Sequence, residues 1–375
     1  MLRRELLAVI FCVCFLSLFF VKPLKAQEQE IPERKIPEKE NQVLLWKVPQ
    51  KGAAALLPNI SLIGSLAGAY FRDDPVGDQG ENPSRTGFNF QGAELAIQSI
   101  IDPYVRGDVF LLFLEDAVEL EEGFVTTLAL PWNLQIRAGK LLARFGRQNT
   151  QHLEQIDFAD YSRANRYFLG AEGFGELGVE LSALFPTPWF SEITFEFLQG
   201  VNEANFASDR KQDFVYLGHW KNAVDVTSDL TLQAGLSGAF GYNGTDRGNH
   251  TQIYGTDLYL RWRPSARQGL KWQTEYFLRR KEDVGQTLWE GGIYSQVIYQ
   301  FARRWEAGIR ADLIRFPEET LSQWDFSPVL SFLASEFFRV RAQYNYVNTQ
   351  GTSEAQHEAF LQVQFSMGPH GAHIF

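Results

Sequence analysis

Cysteine is nearly missing from this chain. Only Cys12 and Cys14 occur, and nothing after residue 14 carries a thiol. A disulfide framework and a cysteine-built metal centre are therefore excluded from the body of the protein. Long apolar runs are missing too. Beyond Val21 no stretch approaches the ~20 residues that a membrane-crossing helix needs. No 3.6-residue periodicity of useful length appears either. Basic charge is in deficit, with 35 Lys and Arg against 45 Asp and Glu and a net charge of −10. That balance excludes the basic footprint of a nucleic-acid-binding protein.

The one greasy run lies at the start, in MLRRELLAVIFCVCFLSLFFVKPLKA. Arg3 and Arg4 precede an apolar stretch from Leu6 to Val21, and small Ala26 ends a plausible cleavage site. Residues 1–26 thus read as a secretory signal peptide. The competing reading is an anchoring helix, for which the run is short. No lipobox precedes either cysteine. Residues 27–57 open with QEQEIPERKIPEKENQ, a charged, proline-bearing stretch that reads as a periplasmic linker. An exported chain without disulfides leaves three classes: a soluble periplasmic domain, a secreted β protein, or an outer-membrane barrel.

From residue 58 onward apolar and polar residues alternate with a period of two. Trp305, Ala307, Ile309, Ala311 and Leu313 oppose Glu306, Arg310 and Asp312. Val340, Ala342, Tyr344 and Tyr346 oppose Arg339, Arg341, Gln343 and Asn345. Leu120, Phe124, Leu128 and Leu130 are expected on one face of their strand, with Glu119 and Glu121 on the other. The segments run about 9–13 residues, the length of a tilted membrane-crossing strand. Strands of a soluble sandwich are nearer ~5–6. The pattern predicts an all-β fold, a transmembrane antiparallel β-barrel of about 16 strands over residues 58–367. Expected starts are near 58, 88, 104, 118, 133, 174, 190, 213, 228, 251, 268, 287, 303, 323, 337 and 357.

Connector length supports that count. The even connectors are short, such as Asp102-Pro103 and Ala302-Arg303. The odd ones include the polar stretches 72–87, 144–173, 200–212 and 242–250, with a short exception at Asp116-Ala117. Short periplasmic turns and longer outside loops are the barrel asymmetry. Trp132, Trp189, Trp220, Trp262, Trp272 and Trp305 fall near the short turns, where an amphipathic ring favours the membrane interface. On the last strand Ala359, Leu361, Val363 and Phe365 are expected to face lipid and close the barrel against ISLIGSLAGAYF. A tail over 368–375 follows.

The longest connector, RFGRQNTQHLEQIDFADYSRANRYFLGAEGF, lies between the fifth and sixth strands. The architecture resembles that of general-diffusion porins, whose third outside loop occupies this place and folds inward. The resemblance implies a pore constriction carrying Arg147, His152, Glu154, Asp157, Asp160, Arg163 and Arg166. The alternative is an outward loop with solvated charges. Lumen-facing charges are expected to segregate, with Glu119, Glu121, Glu192 and Glu196 on one wall and Arg261, Arg279, Arg310, Arg339 and Arg341 on the other. Such opposed rows set a field across a pore. The bland account is a set of wall-stabilising ion pairs.

The stretch VRGDVFLLFLEDAVELEEGFVTTLALPWNLQIRAGKLLARFGRQN and the tail GPHGAHIF resemble a group of bacterial porin-like proteins often labelled zinc-regulated TonB-dependent outer-membrane receptors. The resemblance spans most of the chain. TonB-dependent receptors carry a plug ahead of a barrel of about 22 strands, for which this chain is too short, so the porin-like part is the part expected here. His370 and His373 are weak candidates for metal ligation, since imidazole suits zinc. A barrel-embedded enzyme would draw on His219, or on His152 with Asp157, but no nucleophile motif stands beside them. The expectation is therefore a non-enzymatic channel for small hydrophilic solutes or ions, with a metal-related uptake protein as the alternative. No cofactor is expected. The expected partners are outer-membrane lipid and lipopolysaccharide, the barrel assembly machinery and, by analogy, two further copies in a homotrimer.

Overall fold

The computed structural model describes residues 58–368, apart from 74, 76–78, 203, 208–212, 247, 317–321 and 353. The alternating segments become sixteen strands. The first eight are β1 (Asn59–Phe71), β2 (Gly87–Asp102), β3 (Val105–Phe113), β4 (Val118–Thr127), β5 (Leu134–Leu142), β6 (Gly175–Leu184), β7 (Phe190–Leu198) and β8 (Val215–Thr227). Then follow β9 (Leu230–Tyr242), β10 (His250–Ser265), β11 (Gln268–Asp283), β12 (Gln286–Ala302), β13 (Trp305–Phe316), β14 (Gln323–Ser335), β15 (Phe338–Thr349) and β16 (Gln356–Met367). Every strand begins within two residues of its expected start. Each pairs antiparallel with its chain neighbours, and β16 returns to β1 with Gly64 opposite Phe365 and Phe71 opposite Glu358. Closure leaves no sheet edge. Sixteen strands, not about 22, also set the receptor label aside. The expected signal peptide, the linker over 27–57, and His370 and His373 lie outside the described residues.

Polarity is inverted relative to a soluble fold. On β9, Leu232, Leu236 and Phe240 point outward, 38–52% exposed, while Ser237 faces in. Asp108, Glu180, Glu275, Arg310, Arg341 and Glu358 are all buried inside. Only lipid rewards an apolar exterior around a charged interior, and only a closed sheet satisfies its own backbone there. The fold is a transmembrane barrel of the outer-membrane kind. Trp132, Trp189, Trp262 and Trp305 lie at or beside the short turns, whereas Trp220 and Trp272 sit further along their strands. Trp289 and Trp324 stand near the opposite rim, giving a second aromatic girdle.

One strand breaks the simple alternation. Opposite β3, Leu120 pairs with Leu111 but Glu122 pairs with Phe110, so Glu121 is an extra residue in a β-bulge. The bulge sends Glu121 and Glu122 to the same side and reverses the faces beyond it. Phe124, expected outside, therefore turns inward beneath Arg137, whose guanidinium lies 4.9 Å from its ring.

Candidate functional site: a loop inside the barrel

Residues 143–174 join β5 to β6. Phe145, Leu153, Ile156, Phe158, Phe168, Leu169 and Phe174 in this loop are at most 3% exposed. Side chains of that kind favour burial, and the nearest apolar surface is the inner wall. There β10 to β13 present Ile253, Phe277, Tyr294 and Ile314 in one cluster with the loop. A short helix, α1 (Arg163–Leu169), is capped by Ser162, whose hydroxyl accepts from the Asn165 N–H at 3.1 Å. It places Phe168 flat on Phe277, with ring centroids 5.4 Å apart. Gly292 makes room, since a Cβ there would come within 2.2 Å of the Phe168 ring. Asn149 ties the two ends of the loop, donating to the Ala143 carbonyl at 2.8 Å and accepting from the Phe174 N–H at 2.7 Å.

The polar residues fasten the rest. Asp160 accepts from Arg310 at 2.8 Å and also from Gln343 and Asn345. Arg341 donates to the carbonyls of Ile156 and Phe158, and Arg339 to that of Glu154. Asp157 pairs with Lys271, and Arg163 with Asp325 and Glu358. Arg166 donates to Gln79 at 2.9 Å. On the far side His152 meets Glu94, Glu121 and Glu122 at 2.8–3.1 Å. The loop thus holds β2 and β4 as well as β11 and β13 to β16, and in the closed ring β4 lies across the lumen from β11 to β13.

Burial would raise the Asp160 carboxyl, but Arg310 and Arg166 hold it below the ordinary range. Arg166 is lowered to about 10 by burial and by Arg163. Burial and Glu94 push Glu154 up to about 8.

The expected lumen charges all face inward, yet most are not presented to solute. Arg310 and Arg341 are 1% exposed and spent on the loop, while Arg279 pairs with Glu290. Glu180 pairs with Arg137 and Arg144, and Glu196 accepts from the Arg144 N–H at 2.9 Å. Glu192, half-buried, stands opposite Lys221. Glu119 lies opposite Leu112 toward the loop rim, and exposed Arg261 opposite Lys271 toward the turn rim. Opposed free rows are therefore replaced by local pairing. Arg144, with 32% of its side chain exposed, and Arg147, 3.9 Å above the Tyr259 ring, stay partly open at the base of the loop.

Of the candidate enzymatic residues, His152 and Asp157 do not come together. His219 bonds Ser237 at 2.8 Å, and that buried hydroxyl already accepts from the Gly146 N–H. His152 and Asp157 take the separate partners given above. The anchoring roles of Asn149 and Gln343 are not legible in the sequence: Asn149 bonds backbone atoms of Ala143 and Phe174, and Gln343 joins the Ala159 N–H to the Asp160 and Asn345 side chains, all brought near only by the fold.

No family model matches this sequence. A protein of Aquifex aeolicus (strain VF5), described only as uncharacterized, is 30% identical over 393 residues, covering 88% of this chain and 82% of that protein. Among solved structures the fold is similar to the outer membrane channel DcaP of Acinetobacter baumannii (TM-score 0.59, 11% identity, 84% of this chain and 99% of that one). It is also similar to an anion-selective porin from Comamonas acidovorans (0.58, 12%, 83% and 100%). A third similar structure is a loop-deletion mutant of OmpT, an outer membrane protein of Vibrio cholerae (0.54, 11%, 83% and 99%). At these identities the structural likeness speaks to the fold.

Proposed function

We propose that this chain, which belongs to one family with the Aquifex aeolicus protein, works as a passive outer-membrane channel for small hydrophilic solutes, without covalent chemistry. The observation that carries this reading is the loop 143–174 drawn across the lumen and fastened to opposite walls. A barrel of sixteen strands encloses room for water, and an anchored loop narrows it to a fixed size. The channel and porin named among the structural neighbours agree with this use of the fold.

Sieving would be by width first and by charge second. Arg144 and Arg147, partly open at the base of the loop, would give a constriction there a cationic contribution, tempered by Glu180 and Glu192. The test is single-channel recording in a planar bilayer. Stepwise conductance is expected, and Arg147→Glu should move the reversal potential in a salt gradient toward cation preference. Silence in the bilayer would sink the channel reading. Three copies per particle, expected by analogy with the trimer form of OmpT, would appear as conductance steps grouped in threes.

A further inference from the structure

We propose that His152, Glu94 and Glu121 form a binding site for one divalent transition-metal ion between the loop and the barrel wall. The three side chains come from a connector, from β2 and from the bulge in β4. One ligand atom from each lies within 4.8 Å of the others. His152 Nδ1 is 3.0 Å from Glu94 and 2.8 Å from Glu121. In a tetrahedral site with bonds of about 2.0–2.2 Å the ligand atoms stand roughly 3.4 Å apart, so modest spreading admits an ion.

Three further observations point to a ligand rather than to a simple acidic cluster. Glu94 has 5% of its side chain exposed, its Oε2 faces His152, and its Oε1 has no hydrogen-bond partner among the described residues; Glu121 Oε2 is likewise buried without one among them. A buried carboxylate oxygen left so is expensive unless something cationic meets it. The second nitrogen of His152 is already oriented, with Nε2 3.1 Å from Glu122 Oε2. That is the carboxylate–histidine arrangement that fixes the tautomer and presents the other nitrogen to a metal. Finally, Phe110 stacks on the imidazole with centroids 5.2 Å apart and holds the ring plane.

One imidazole with two carboxylates suits zinc or a similar first-row ion better than calcium or magnesium, which favour all-oxygen cages. Bound there, the ion would join the loop to the wall at β2 and β4, away from the Arg310 anchor on β13. The site would bind its ion whether or not the barrel conducts.

The test uses the full chain folded in detergent, stripped with EDTA and dialysed against Zn²⁺, with bound zinc measured by mass spectrometry and folding checked by heat-modifiable gel mobility. Wild type should hold about one zinc per barrel. Glu94→Gln and His152→Gln should each lose it while remaining folded, and Glu122→Gln should weaken affinity about 10–100-fold. Replacing His370 and His373 with Ala should leave the stoichiometry unchanged, and excess Ca²⁺ should not displace the zinc. Wild-type protein that binds no zinc saturably overturns the proposal, meaning that a proton alone bridges these groups. So does equal binding in folded Glu94→Gln, loss on changing the tail histidines, or displacement by Ca²⁺. If His152→Gln fails to fold, the wild-type and tail-variant stoichiometries decide the matter.

Discussion

Arg310 and Asp160 show how single side chains set the interior. Both are nearly inaccessible, 1% and 3% exposed at the side chain, and Arg310 is shared with Asp312. Removing one partner of such a buried set commonly costs about 3–5 kcal/mol, because the remaining charge is stranded. Arg310→Met should therefore destabilise the folded protein by about that amount in chemical unfolding. The pH dependence has a defined sign. Asp160 titrates below its unfolded value of about 3.9. Its contribution is complete above that value and disappears only as pH falls through the lower folded value. The loop anchor should thus hold at pH 5 as at pH 7, and conductance levels at the two values should agree as far as this contact sets them. At this scale the sequence was partly legible. The inward direction of Arg310 and Arg341 follows from alternation alone. Their engagement by loop carbonyls does not, since a backbone acceptor has no signature in the residue code.

At the level of elements, the loop and the strands obey different rules. The strands show their lipid face in every second residue, so Leu236→Arg, near the middle of β9 and 52% exposed, should cost ~2–4 kcal/mol in folding titrations with lipid vesicles. The loop depends instead on a few aromatic anchors. Phe168→Ala removes the ring seated on Phe277 and Gly292. It should raise open-channel conductance and current noise while gel mobility still reports a folded barrel. Strand starts were readable because turns are punctuated by Pro, Asp and Ser between alternating runs. The β4 bulge was not, because Glu121 and Glu122 read as one step of the alternation until a partner strand reveals the surplus residue. The His152 site was hidden for a related reason: Glu94 lies 58 positions away in the chain, and only the rolled sheet brings it near.

For the molecule as a whole, one seam completes the cylinder. β16 pairs with β15 on one side and β1 on the other, so deleting Gln356–Met367 should abolish the heat-modifiable folded form altogether, not merely weaken it. The same geometry has a bearing on biogenesis. Residues of the loop between β5 and β6 bond to partners 150 and 195 positions later in the chain, Arg310 and Glu358. Contacts of such range form late and slowly. While the first half of the polypeptide emerges, the loop therefore has only its partners on β2 and β4 and lacks those on the terminal strands. Until the seam shuts around them, those seven greasy side chains lack part of the cover they have in the finished barrel.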